Sequence, residues 1–127
     1  MRIRLETDAF YLILQTIKNN AYEMIVSPVH FEEVAAIKDF QERYEVLALS
    51  RTYGHQTAHD FAKIQFRTEY LYTQGFGLAD AAHTAFAEAS SDVFLSCDDK
   101  LLKKCGKMAL NIVTMNPVEF SITEDLQ

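Results

Sequence analysis

The chain has 127 residues, 49 % of them apolar and 24 % charged, with a net charge of −6. A chain of this size and composition predicts one globular domain that can bury a core without disulfide or metal staples, and the acidic balance excludes a general basic nucleic-acid coat. No apolar run approaches the roughly 20 residues that cross a bilayer, Met1–Glu6 lacks an apolar signal core, and two cysteines, Cys97 and Cys105, make no disulfide framework. The expectation is a cytoplasmic protein with reduced thiols and no membrane partner.

The first predicted element is a helix from Ile3 to Lys18, with Phe10, Ile13, Leu14 and Ile17 on one face and Asn19-Asn20 at its end. Met24-Ile25-Val26 reads as a short buried strand. Ser27 and Pro28 then supply the cap and first position of a helix carrying Val29 to Ile37. Asp39 is placed as the cap of a third helix that turns Phe40, Tyr44 and Leu47 inward and closes near Gly54. A fourth, from Ala58 to Thr73, sets Phe61, Ile64, Thr68 and Leu71 on one face and ends at Gly75. An Ala-rich fifth helix runs from Leu78 to Ala89.

Val93 to Cys97 reads as a second strand, with Cys97 as a small core residue, and Asp98 starts the helix behind it. Asn111 to Thr114 is a third strand, Asn116-Pro117 breaks the chain, and the acidic tail Glu124–Gln127 is expected to fray. Strands alternating with helices predict an α/β fold with a parallel sheet flanked by helices. Three strands are few for such a sheet, and the chain starts almost inside a helix; both suggest a segment missing in front of Met1.

In open parallel sheets ligands gather at the carboxyl ends of the strands. Asp98 follows the strand Val93–Cys97, Glu33 rides the helix after Met24–Val26, and Asp80 sits in the first turn of its helix. Three carboxylates from separate elements could therefore meet on one edge and offer the oxygen ligands that Mg²⁺ or Mn²⁺ prefers. Taken singly, each is better explained as a helix cap or a solvated acid. Lys100, Lys103, Lys104 and Lys107 follow helical spacing and form one basic stripe, either a solvated face or a surface that tracks phosphates.

Rival signals are thinner. His55 and His59 have the spacing of a zincin helix, but Gln56 stands where the general base belongs. His30 and Glu33 lack a further flanking histidine. Cys97 has no evident base to make it a nucleophile, and Gly75-Phe76-Gly77 is no phosphate loop.

Gly77-Leu78-Ala79-Asp80-Ala81-Ala82-His83 sets an Ala-Asp pair at a helix start, and Phe94 to Leu101 is a strand that ends in Ser96-x-Asp98-x-x-Leu101. With Asn116 to Phe120 and Ser27 to Val34, these segments resemble the PIN-domain nucleases, of the VapC toxin type. The first looks like the family's Ala-Asp segment, and the second like the following strand and its Thr-x-Asp-x-x-Phe ending, with Ser96 for the Thr and Leu101 for the Phe. Asn116 to Phe120 resembles the end of the last strand region, and Ser27 to Val34 the helix that brings the glutamate. The resemblance covers nearly the whole chain and is most specific from Gly75 to Phe120.

The resemblance implies a three-layer PIN-like fold over residues 1–127 and a metal-dependent endoribonuclease using Mg²⁺ or Mn²⁺. Glu33, Asp80 and Asp98 would be the catalytic metal ligands, with Glu32 beside Glu33 as the rival choice. Asp99 would be a further metal-facing acid, and His83 and Ser96 would orient the ligands. RNA phosphates would meet the lysine stripe. Partners would be RNA, an antitoxin protein or a second copy. The family also opens with a strand such as Ile-Tyr-Leu-Asp, which has no counterpart here. The expectation is thus an N-terminally truncated domain that lacks its first strand and one acidic ligand. A non-catalytic PIN-like module pairing with an antitoxin or itself is the alternative.

Overall fold

A computed structural model describes residues 2–126. Within them the chain is mixed α/β, with seven helices and two short parallel two-stranded sheets. It divides into two compact units, Glu23–Ser90 and a second made from Met1–Tyr22 together with Ser91–Gln127.

In the continuous unit, β1 (Met24–Ile25) pairs in parallel with β2 (Gly54–His55), Met24 opposite Gly54. Between them lie α2 (Pro28–Ala35) and α3 (Phe40–Tyr53). Ser27 caps α2 by accepting the His30 N–H, with Pro28 in the first turn, and Asp39 caps α3 by accepting the Gln41 N–H, as the sequence predicts. β2 was not expected. Gly54 lets it form: a Cβ there would lie 2.8 Å from Val26 Cγ1 and would collide with the Ser50 carbonyl.

α4 (Phe61–Thr73) is capped by Asp60 rather than starting at Ala58, and Gly75 turns the chain at φ 97° before α5 (Leu78–Ser90). α4 and α5 pack along their lengths and bury Ile64, Leu71, Ala81, Thr84, Ala85 and Phe86. Arg67 Nε and Nη2 donate to the two carboxylate oxygens of Glu88 at 2.8 and 3.2 Å, a bidentate tie between the helices.

In the other unit, α1 (Arg2–Lys18) packs on α7 (Pro117–Thr123), and β3 (Val93–Leu95) pairs in parallel with β4 (Val113–Met115) across α6 (Asp99–Gly106). Asn20 ends α1 with a left-handed residue, φ 62°. Asn116-Pro117 does more than break the chain. Asn116 accepts the Glu119 N–H and donates to its carboxylate, and Pro117 opens α7. Glu124 in the expected frayed tail accepts the Tyr22 hydroxyl at 2.7 Å, which raises the Tyr22 pKa.

Several inward assignments are corrected. The three expected strands do not share one sheet; β1 takes β2 as its partner, while β3 pairs with β4. Cys97 is exposed, because β3 ends at Leu95 before reaching it, and Cys105 on α6 is buried instead. Among the described side chains of α1, Ala9 is buried and Phe10 is exposed. Phe40, Tyr44 and Phe61 are 71 %, 65 % and 61 % exposed. α3 packs on α2 and β2, and its buried residue is Ser50, so no neighbour in the unit covers the Phe40–Tyr44 stripe. Phe61 meets Phe86 only edge-on, with centroids 6.2 Å apart.

Candidate functional site

Glu33, Asp80 and His83 all belong to the continuous unit, on α2 and α5, which pack together. His83 Nε2 lies 2.9 Å from Glu33 Oε1, with the histidine side chain 19 % exposed and the glutamate 54 %. Two residues fifty positions apart in sequence thus meet, and His83 holds one oxygen of the expected ligand Glu33 rather than Asp80. Asp80 is half-buried one turn earlier on α5, where the helix N-terminus favours its negative charge. Its carbonyl accepts the fully buried Thr84 hydroxyl at 2.8 Å, which ties that first turn into the core.

A second polar contact ties α2 to α3. His30 Nε2 is 2.7 Å from Ser50 Oγ, and Ser50 is 1 % exposed. The Ser50 hydroxyl donates to the Val46 carbonyl at 2.9 Å, so it accepts from His30. Burial lowers the His30 pKa, the neighbouring His83 lowers it further, and Glu33 partly opposes both.

In the other unit Asp98 caps α6. Its Oδ1 accepts the N–H groups of Lys100 and Leu101 at 3.0 and 3.2 Å, and the Ser96 hydroxyl accepts the Asp98 N–H at 3.1 Å. Ser96 therefore fixes the backbone that presents Asp98, while Asp99 sits in the first turn. Lys100, Lys103 and Lys107 are exposed on or just beyond α6, and Lys104 is half-buried. The face opposite the stripe carries the buried Leu101 and Cys105.

No family model, curated protein or solved structure matches this chain. Function must therefore be read from the residues.

His55 ends β2 and the chain from Gln56 to Asp60 is not helical, so His55 and His59 do not share a helix face and the zincin geometry is absent. Among the described residues no three His, Cys, Asp or Glu side chains are gathered so as to hold a metal ion. The carboxylates expected to hold a divalent cation divide between the units: Glu33 and Asp80 lie on packed helices of one, and Asp98, its Oδ1 engaged in the α6 cap, lies in the other. No helix among the described residues is long and apolar enough to cross a membrane.

Sequence reasoning missed the His30–Ser50 contact. Nothing in the sequence signals it, because it depends on α2 and α3 packing together.

Proposed function

We propose that this chain is a metal-dependent endoribonuclease of the PIN type, with Glu33, Asp80 and Asp98 as its essential carboxylates and Mg²⁺ or Mn²⁺ as its cofactor. The observation that carries this reading is the contact between Glu33 and His83. It joins the helix that resembles the family's glutamate helix to the helix that resembles its Ala-Asp segment. A bound ion would polarise the scissile phosphate and supply a hydroxide-like nucleophile. The chain's own part is to hold oxygen donors in place. His83 orients Glu33, the first turn of α5 stabilises the Asp80 charge, and Ser96 fixes the backbone at Asp98.

The family's three-layer fold belongs to the same proposal, as do RNA as substrate and an antitoxin or second copy as partner. Lys100, Lys103, Lys104 and Lys107 would track the phosphates, since their stripe faces away from the buried side of α6.

The second reading is a non-catalytic binding module. It is favoured by the use already made of two carboxylates, Glu33 Oε1 by His83 and Asp98 Oδ1 by the α6 cap.

One experiment separates the two. Asp98→Asn keeps the cap, because Asn is as good a cap as Asp, but removes the charge. It should leave the melting temperature unchanged and abolish Mn²⁺-dependent cleavage of a single-stranded RNA, as should Glu33→Gln and Asp80→Asn. Lys100→Gln with Lys103→Gln should lower the salt slope of RNA binding by about 1–2 units. Wild-type protein that neither binds Mn²⁺ by calorimetry nor cleaves RNA would establish the non-catalytic module.

A further inference from the structure

The continuous unit contains an open groove of about 830 Å³ that the carboxylates do not use. Its walls include Phe31 of α2 and Phe40, Tyr44 and Arg51 of α3, with Gln56 beyond β2. Phe40 and Tyr44 are among the large apolar side chains that the fold leaves most exposed. Arg43 also lines it, with its guanidinium 5.5 Å over the Phe40 ring while Nη1 donates to the Ile37 carbonyl at 3.0 Å.

Charge decides what such a groove would accept. The chain carries 18 acidic residues against 12 basic ones, yet the lining holds two arginines and no carboxylate. Arg51 is exposed and has no ion-pair partner among the described residues. Such a lining complements an anionic occupant. The exposed groups beside the cations are flat aromatic faces rather than branched aliphatic ones, and the Arg43–Phe40 stack already presents the layered geometry that a planar base extends. Gln56 adds an amide with both donor and acceptor.

We infer that this groove binds single-stranded RNA, with bases stacked on Phe40 and Tyr44 and phosphates paired to Arg43 and Arg51. The inference rests on the ribonuclease reading for its setting. Glu33 lies on α2 between the groove-lining residues Phe31 and Val34, so the helix that bears the carboxylate also forms a wall of the groove. The groove would then select unpaired nucleotides, since a base held in a duplex has no free face to stack.

The test uses the full chain, fluorescence anisotropy, and labelled oligouridylate and oligoadenylate in EDTA, so that binding is read without cleavage. Phe40→Ala and Tyr44→Ala should each weaken binding roughly 5- to 100-fold, the range that the loss of one stacked base produces. Tyr44→Phe should bind as wild type. Arg51→Gln should reduce the salt slope by about 0.7, one single-strand phosphate contact. These side chains are exposed, so thermal melts of the variants should match the parent. Wild-type affinity in both alanine variants overturns the inference, as does equal binding of duplex RNA, or capture of an acidic amphipathic peptide with no binding of RNA. Glu33→Gln keeps the two readings apart. If it cleaves normally while the groove variants lose RNA, the carboxylate assignment fails and the groove stands. If it abolishes cleavage while the groove variants bind RNA normally, the reverse holds.

Discussion

His30 joins α2 to α3 through a hydroxyl whose own proton is already committed. Ser50 donates to Val46, so His30 must bring the proton on Nε2 and leave Nδ1 bare in the neutral ring. Protonating Nδ1 would place a charge in a half-buried position near His83, which is why the pKa falls below its ordinary 6.5, with Glu33 giving only partial relief. A folded-state pKa below the unfolded one means that the unfolded chain binds more protons between the two values. Stability therefore rises with pH through that window and is lost as pH falls below about 6.5. His30→Gln keeps a donor for Ser50 without a titrating group. Urea melts at about pH 7.5 and pH 5.5 should show the variant losing less stability than the parent over that step. Equal losses would mean that His30 keeps its ordinary affinity for protons.

At the scale of elements, what was legible followed from local chemistry. Ser27-Pro28, Asp39 and Asp98 announce helix starts because their side chains satisfy orphan N–H groups within a few residues, and each does so here. Gly75 announces a turn because the chain there needs positive φ. Direction of facing was less legible. The spacing of Phe40, Tyr44 and Leu47 correctly marks one side of α3, but periodicity does not say whether a neighbour exists to cover that side, and here a groove lies against it. A two-residue strand such as β2 carries no period at all. For the candidate site, the carboxylates were visible as residue types, whereas the pairing of Glu33 with His83 depends on α2 and α5 packing across an intervening helical pair. Gly54 is the residue on which β2 depends. Its own φ is −71°, open to any residue, so the constraint is space and not backbone freedom. Gly54→Ala should destabilise the protein by about 1–3 kcal/mol through overpacking against Val26 and the end of α3. A urea midpoint equal to that of the parent would show that α3 can withdraw without loss.

The two units of the molecule differ in what their closure costs. Glu23–Ser90 is continuous, and its α4–α5 core joins helices adjacent in sequence. The other unit brings together the two ends of the chain, so the α1–α7 contact forms only across the whole intervening stretch. Loop-closure entropy grows with the length enclosed and weighs against the second arrangement. Among the described side chains its burial is also thinner: α1 buries Ala9 and α7 buries Phe120 and Ser121, whereas α4 and α5 share six buried positions. Units with fewer buried apolar contacts open at lower free energy than the global transition. Native-state hydrogen exchange in rising urea should therefore release the α1 and α7 amides first, and hold those of Ala81, Thr84, Ala85 and Phe86 on α5 to the end. Removing Phe120 as Phe120→Ala should lower the α1 and α7 isotherms by about 3–5 kcal/mol, or by their full opening free energy if that is smaller. The α5 isotherm should move less. A single isotherm shared by all these amides, shifted equally by the substitution, would mean that the chain opens as one cooperative body and that the division into units has no energetic counterpart.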